Sequence, residues 1–235
     1  MGLSSVQARW MDLLNLDVAR EYLGVLLQGL AVTVGLTLSV ITMSCFLAIP
    51  IALCRMSTNW PIRIPASIYV EVTRATPLLL QLVYIYYVLP SVGIRLPGIA
   101  AAVIGLTFNY TAYMSEVYRG GINAVAKGQW QAAAALGMTD ALAFRRIILP
   151  QAVRIVIPSL GNYFISLFKD TALCSVVAVQ ELMFKGQIVS ARTFQYFTIY
   201  TLTGILYFAV GYPAAVFVRW LERVSSRGYS RRKRA

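Results

Sequence analysis

Residues 23–53 read LGVLLQGLAVTVGLTLSVITMSCFLAIPIAL and contain no charged side chain. A helix needs about 20 predominantly apolar residues to cross the hydrocarbon core of a bilayer. The run is therefore long enough to span a membrane and to tilt within it. The whole chain has 235 residues, of which 58% are hydrophobic and 13% charged, a balance far from that of a soluble domain. The sequence predicts an all-α integral membrane protein.

Four more segments are apolar enough to form further spans. The second predicted span covers residues 64–90, because its apolar stretch from Pro77 onward is too short to cross alone. The remaining predicted spans are residues 97–118, residues 155–179 with an interruption at Lys169 and Asp170, and residues 197–218. Pro77 and Pro158 are predicted to bend the second and fourth spans, because a proline removes one backbone hydrogen bond from its helix. Five spans place the two chain ends on opposite sides of the membrane.

Arginine and lysine residues orient these spans. Basic residues accumulate after the first, third and fifth spans, and the positive-inside rule assigns such segments to the cytoplasm. They are Arg55 and Arg63; Arg119, Lys127, Arg145, Arg146 and Arg154; and Arg219, Arg223, Arg227, Arg231, Arg232, Lys233 and Arg234. The two other loops contain only Arg95, Lys185 and Arg192. The N-terminus is therefore predicted outside and the C-terminus inside. This orientation accounts for the net charge of +12, and no nucleic-acid partner is expected.

The composition argues against catalytic chemistry in the chain. There is no histidine, which is the commonest general base and metal ligand. The three cysteines lie in apolar stretches without metal-ligand spacing, so no metal site is expected. A membrane-embedded enzyme would have to use Glu71, Glu116 and Asp170 as its acid–base residues. A phosphate loop of the GxxxxGK[ST] kind is missing from the sequence, so the chain is expected to bind no cofactor and to leave ATP hydrolysis to a partner.

The most informative segment between two spans is GGINAVAKGQWQAAAALGMTDALAFRRIILPQAVRIVIP, residues 120–158. Its alanine-rich part favours a short helix, which Gly137 can end in the left-handed conformation. Thr139 or Asp140 can cap a second helix that continues to Leu149, and Pro150 is predicted to break that helix. Small residues in the first helix let a partner protein approach its backbone closely. A helical hairpin lying on the membrane surface explains the same pattern, and helical spacing alone does not decide between the two.

This hairpin sequence resembles the EAA loop of ABC importer permeases. That loop has the pattern Glu-Ala-Ala, three residues, Gly, nine residues, Ile, one residue and Leu-Pro. The matching residues here are Ala132, Ala133, Gly137, Ile147, Leu149 and Pro150, with Gln131 in the position of the glutamate. The resemblance implies that these residues couple the chain to an ATPase from a cytoplasmic loop of residues 120–154. Gln131 keeps the length and hydrogen bonding of a glutamate but removes its charge.

Within the ABC permeases, the chain is similar to the polar amino acid uptake family over nearly its whole length after the N-terminal segment. EVTRATPLLLQLVYIYYVLP, residues 71–90, resembles that family's Arg-x-Thr-Pro-Leu signature, with Ala75 where glycine is common. FNYTAYMSEVYRGGI, KGQWQAA, IILPQAVRIVIPSLGNYFISLFKDTAL and VQEL continue the resemblance in the same order. It implies the architecture of a type I ABC importer permease in a bacterial inner membrane. The expected parts are a polar, interfacial N-terminal segment (1–22), a transmembrane permease domain (23–218) and a basic cytoplasmic tail (219–235).

The same resemblance implies the partners. In the family, such a subunit works as a homodimer or beside a sister permease, with two cytoplasmic ATPase subunits that bind ATP and Mg²⁺. An external substrate-binding protein, free or lipid-anchored, usually delivers the substrate, which is expected to be a polar or charged amino acid. A secondary, ion-coupled transporter is the alternative, because it would share the spans and the intramembrane charges without needing the hairpin.

Polar and ionisable side chains inside the predicted spans are the candidates for the substrate path, because such groups are costly in a bilayer and usually functional. The candidates are Glu71, Arg74, Gln81, Asn162, Lys169 and Asp170. Glu71 and Arg74 are three residues apart on one helix, so a purely structural pair between them is the alternative to a role in transport. Lys169 and Asp170 are adjacent and cannot face each other on a helix, so at least one of them needs a partner elsewhere.

Overall fold

A computed structural model of the chain describes residues 14–226. All regular elements of this part are helical. The α-helices are α1 (Leu16–Met56), α2 (Trp60–Ala75), α3 (Leu78–Val83), α4 (Gly98–Asn123), α5 (Lys127–Ala135), α6 (Asp140–Ala143), α7 (Leu149–Asp170), α8 (Leu182–Thr193) and α9 (Tyr196–Ser226). Two π-helical turns, Tyr84–Val88 and Phe144–Ile148, and two 3₁₀ segments, Leu89–Val92 and Thr171–Val177, extend them. Residues 1–13 of the predicted interfacial segment and residues 227–235 of the predicted tail lie outside the described residues.

The first helix begins earlier than the apolar run alone predicts. Asn15 caps it, because its side chain accepts hydrogen bonds from the backbone N–H groups of Asp17 at 3.1 Å and Val18 at 3.2 Å. The last residues of the predicted interfacial segment are therefore the first two turns of α1. Inside the helix, the buried hydroxyl of Thr37 donates to the carbonyl of Thr33 at 2.7 Å, which satisfies a polar group within an apolar helix.

The main apolar core lies where α1, α4 and α7 meet. Leu36 and Val40 of α1 pack there with Leu106 and Met114 of α4 and with Leu167 of α7, and all five side chains are buried. The outward faces of the long helices are apolar as well. Phe46 is 71% exposed and Phe208 is 66% exposed, as expected for helices whose outer surface contacts lipid or another subunit.

Two helices of the described part are individually long and apolar enough to cross a membrane, Leu16–Met56 and Tyr196–Ser225. Two further candidates qualify only if a bent pair counts as one span. They are Trp60–Ala75 with Leu78–Val92, bent by 105°, and Asp140–Val177 with Leu182–Thr193, bent by 52°. Residues 14–226 therefore contain two to four candidate spans by length and composition. The five-span count and the orientation stay predictions.

The two prolines lie in different settings, and the predicted bend at Pro158 stays a prediction. Pro77 lies at the 105° bend, so the predicted bend in the second span is confirmed and that segment is a broken one. Pro158 lies inside α7, which stays helical from Leu149 to Asp170. The interruption predicted at Lys169 and Asp170 corresponds to the end of α7, where the chain tightens into the 3₁₀ segment.

Candidate functional site

The break between α2 and α3 exposes backbone polar groups inside apolar helices. Thr76 is extended and Pro77 has no N–H, so carbonyl groups at the end of α2 lose their helical partners. The side-chain amide of Gln81 replaces them, because its Nε2 donates to the carbonyl oxygens of Thr73 at 2.9 Å and Thr76 at 3.2 Å. Gln81 Oε1 accepts a hydrogen bond from Asn109 Nδ2 at 3.1 Å. This predicted path residue therefore ties the break to α4.

A cavity of about 400 Å³ lies beside the break. It brings together two predicted path residues from distant parts of the chain, Arg74 at the end of α2 and Asp170 at the end of α7. Tyr110, Tyr113 and Tyr163 also line it. The Tyr110 hydroxyl donates to Asp170 Oδ2 at 2.7 Å, so this carboxylate finds a partner away from its neighbour Lys169, as predicted. The Arg74 guanidinium lies 5.5 Å from the centroid of the Tyr113 ring, within cation–π range.

Next to the cavity, five charged side chains join α1, α2 and α4. Glu116 is at the centre and its side chain is only 18% exposed. Arg119 donates to it through two nitrogens, at 2.9 and 2.8 Å, and Arg55 and Arg74 approach it from the other helices. Arg55 also reaches Glu71 at 3.0 Å. A half-buried carboxylate is favourable only with such compensation, so the network stabilises the junction of three helices.

The network rules out the pair that was the structural alternative for Glu71 and Arg74. Glu71 and Arg74 do not bind each other, because Glu71 pairs with Arg55 and Arg74 pairs with Glu116 at 3.6 Å. The tertiary partners hold the two side chains in separate contacts although they are three residues apart on α2. The Arg74 contact is the longest of the four ion pairs among the described residues, and the side chain stays 40% exposed.

Two predicted path residues lie away from the cavity. Asn162 Nδ2 donates to Glu222 Oε1 at 3.0 Å in an exposed contact between α7 and α9. Lys169 is exposed, and within residues 14–226 no hydrogen bond or ion pair joins it to another side chain. The structure thus places Arg74 and Asp170 in one cavity. Gln81 lies at the adjacent helix break and Glu71 in the adjacent ion-pair network, whereas Asn162 and Lys169 lie away from the cavity.

The predicted hairpin is present, and its turn has the expected chemistry. Gly137 has φ +71°, and the N–H groups of Gly137 and Met138 bond to the carbonyls of Ala134 at 2.9 Å and Ala133 at 3.1 Å. This is a Schellman ending, which glycine adopts at little cost. Thr139 then caps the next helix by accepting a hydrogen bond from the N–H of Leu142 at 3.4 Å. The glycine cap and the threonine cap are both confirmed.

Pro150 does not break the second helix of the hairpin, contrary to the prediction. The helix widens into the π-turn Phe144–Ile148, where the N–H of Leu149 bonds to the carbonyl of Phe144. In the wider turn, the backbone departs from the i→i−4 hydrogen-bond pattern of an α-helix. Pro150 follows directly, where it has no N–H to donate and its ring would clash with a carbonyl of the preceding α-helical turn. The helix therefore continues from the hairpin into α7.

The two arms of the hairpin pack on each other and leave one surface open. Trp130 stacks on Phe144 with ring centroids 6.5 Å apart, beside a buried cluster that includes Ile148. Of the EAA-type residues, Ala133 is buried and Ile147 half-buried, whereas the others are exposed: Gln131, Ala132, Gly137, Leu149 and Pro150. Leu136, at the tip, is 78% exposed. An apolar tip beside small residues suits contact with another protein.

Sequence reasoning missed the role of two carboxylates. From the sequence, Glu116 was considered only as an acid–base residue of a possible enzyme, although its spacing of three residues from Arg119 indicates an ion pair. No individual role was predicted for Glu181. Its side chain is fully buried, caps α8 by accepting from the N–H groups of Met183 and Phe184 at 2.7 Å each, and accepts from the Tyr207 hydroxyl at 2.9 Å. The caps and the tyrosine compensate the buried carboxylate.

Comparison with known proteins identifies the family of the chain. A family model described as binding-protein-dependent transport system inner membrane component matches residues 40–226. A probable amino-acid ABC transporter permease of Bacillus subtilis, YckA, is 35% identical over 221 residues, which cover 94% of this chain and 97% of the relative. The probable amino-acid permease y4tG of Sinorhizobium fredii is 40% identical over 209 residues, covering 88% and 90%.

Solved structures resemble the chain over similar lengths. A chain of an amino acid ABC transporter crystallised with histidines superposes with a TM-score of 0.86 at 37% identity, covering 89% of this chain and 98% of that one. A chain of the inward-facing MetNI methionine ABC transporter has a TM-score of 0.67 at 20% identity, a likeness of fold alone. The fold is that of a type I ABC permease. The chain belongs to the family of binding-protein-dependent transport system inner membrane components.

Proposed function

We propose that this chain is the transmembrane subunit of an ATP-driven importer and forms the translocation path for a polar or charged amino acid. The observation that carries the proposal is the cavity at the helix break, which Arg74 and Asp170 both line. The relatives' names support the substrate class, since they include amino-acid, cystine and glutamine permeases. Other small zwitterions share the same chemistry.

The charges of the cavity complement an amino acid. The substrate's α-carboxylate suits the Arg74 guanidinium, which can offer two parallel N–H groups to it. The Arg74 contact to Glu116 is long, at 3.6 Å, so N–H groups of the guanidinium remain for a ligand. The α-ammonium group suits Asp170, whose Oδ2 already accepts from Tyr110 and orients the carboxylate. Tyr113 and Tyr163 provide aromatic walls for the remainder of the substrate.

The hairpin is the proposed docking element for a separate ATPase. Gln131, Ala132, Ala133, Gly137, Ile147, Leu149 and Pro150 form its EAA-type residues. Its exposed tip and small residues support docking, and the continuous helix from the hairpin into α7 supports coupling, because α7 ends at Asp170 in the cavity. A continuous helix that links a docking surface to a binding residue provides a route for a displacement at one end to reach the other.

The assembly follows from these roles. Two ATPase subunits bind ATP and Mg²⁺ and supply the energy, so this chain needs no cofactor of its own. A second copy or a sister permease completes the path, and an external binding protein delivers the amino acid. The chain lies in a bacterial inner membrane with five spans, the N-terminus outside and the C-terminus inside, as the distribution of arginine and lysine supports.

The test is amino-acid-stimulated ATP hydrolysis by the complex reconstituted in proteoliposomes. Arg74→Gln and Asp170→Asn each remove one charged hydrogen-bonding group, so we expect the substrate concentration for half-maximal stimulation to rise about tenfold or more. Lys169→Gln is the matched control, because it neutralises the neighbour of Asp170 outside the cavity and is expected to change nothing. Wild-type dependence in both cavity variants, with intact assembly, would contradict the proposal. Uptake driven by an ion gradient without ATP would instead support a secondary transporter.

A further inference from the structure

A second groove, of about 270 Å³, lies between the start of α1 and α8. Tyr22 and Val25 line it from α1, and Lys185, Ile188 and Arg192 line it from α8. The two helices approach each other closely beside the groove, because a Cβ at Gly29 of α1 would lie 2.9 Å from the Cα of Leu182 in α8. The groove is separate from the cavity at the helix break and shares no lining residue with it.

The lining of this groove combines positive charge with aliphatic surface. Lys185, Ile188, Val189 and Arg192 are spaced i, i+3, i+4 and i+7, so they lie on one face of α8. No acidic residue is among the lining residues. Lys185 Nζ donates to Gln180 Oε1 at 2.8 Å, a neutral partner that leaves its charge uncompensated. Within residues 14–226, no hydrogen bond or ion pair joins the Arg192 side chain to another residue.

Both cations lie in a loop predicted outside the membrane. The two loops predicted outside the membrane contain only three basic residues, Arg95, Lys185 and Arg192. Two of the three line one groove. The positive-inside rule disfavours basic residues on that side, so their convergence on one aliphatic surface indicates a ligand that needs both.

We propose that this groove binds an anionic phospholipid of the outer leaflet. Lys185 and Arg192 bind the phosphate and headgroup, while Val25 and Ile188 contact the first part of an acyl chain. Tyr22 suits the boundary between headgroups and hydrocarbon, where amphipathic rings are common. A soluble anion needs the cations but not the aliphatic surface. The location in the outer leaflet rests on the proposed orientation, whereas the affinity for the lipid does not depend on transport.

Native mass spectrometry of the full chain in detergent tests this inference. The probes are phosphatidylglycerol and phosphatidylcholine with identical acyl chains, and we expect tighter binding of phosphatidylglycerol. Lys185→Gln and Arg192→Gln are each expected to weaken phosphatidylglycerol binding about fivefold, as for one cation near an anionic lipid surface. Binding of phosphatidylcholine is expected to stay unchanged in both variants, which also shows that they fold.

Arg95→Gln is the matched control, because it removes an outer cation that does not line the groove. It is expected to bind phosphatidylglycerol as the wild type does. Equal loss in Arg95→Gln, or no loss in the two groove variants, would overturn the proposal. Glycerol 3-phosphate distinguishes a lipid from a free anion: displacement of phosphatidylglycerol by equimolar glycerol 3-phosphate would mean that the groove is an anion site and not a lipid site. Transport measurements are independent of all these outcomes.

Discussion

Replacement of Gly137 by valine tests the hairpin most directly. Gly137 has φ +71°, and a Cβ built on it meets no atom within 4 Å. A Cβ at this position therefore clashes with no neighbouring residue of the chain, and the φ value is the source of strain within the chain. A left-handed conformation costs a residue with a Cβ roughly 1–2 kcal/mol, and a β-branched side chain is particularly unfavourable there.

That cost acts on the population of the docking conformation. An energy of about 1–2 kcal/mol lowers the ratio of molecules with the native turn to molecules with competing conformations by about 5- to 30-fold. The Schellman hydrogen bonds from Gly137 and Met138 form only in this turn. We therefore expect Gly137→Val to insert and pack normally in the membrane but to bind the ATPase more weakly and to transport less amino acid per ATP hydrolysed.

Uptake and ATP hydrolysis measured in the same proteoliposomes provide the assay. Gly128→Val is the matched control, because Gly128 lies in the same hairpin, also has open space around its Cβ, and has no positive φ. Gly137→Asn is expected to retain coupling, since asparagine tolerates the left-handed conformation. Unchanged transport by Gly137→Val, or equal loss in Gly128→Val, would refute the role assigned to this turn.

Three further substitutions test the interior, each by thermal unfolding in detergent. Glu116→Gln is expected to lower the free energy of unfolding by about 2 kcal/mol, because three arginines bind its carboxylate. Glu71→Gln, whose side chain is 66% exposed, is expected to lower it by less than about 1 kcal/mol, and equal losses contradict the role of the network. Gln81→Leu is expected to lower the free energy of unfolding by about 2 kcal/mol, because it leaves carbonyl groups at the helix break without a donor. Wild-type stability would contradict this role of the Gln81 amide. Gly98→Ala places a Cβ 2.3 Å from a backbone oxygen and is expected to cost about 1–3 kcal/mol, while Gly204→Ala, in open space, serves as its control.

Local rules succeeded in the hairpin because its geometry is determined within a few residues. A left-handed glycine, a threonine cap and an alanine-rich helix depend on neighbours close in sequence, and the structure contains all three. The local prediction that Pro150 breaks the helix was wrong. The rule that proline ends a helix considers only one α-helical geometry, and the π-turn before Pro150 accommodates the ring without ending the helix.

Long-range pairing was beyond sequence reasoning. Glu71 and Arg74 are neighbours on α2, but Arg55 and Glu116, from two other helices, bind them instead. A local pair on an exposed helix face is weak, so stronger tertiary partners displace it. The same holds for Asp170, whose hydroxyl partner, Tyr110, is 60 residues away in the chain.

By itself, the sequence determined that the protein is helical and apolar, where the second segment bends, and which turn ends the first arm of the hairpin. These properties depend on composition, proline and glycine, whose effects act on the nearest backbone atoms. Only the tertiary structure decided that Arg74 and Asp170 share a cavity, that Glu116 joins three arginines, and that Lys185 and Arg192 line one groove. Such groupings depend on how the helices cross and rotate against one another, and the period of a single helix leaves those crossings undetermined.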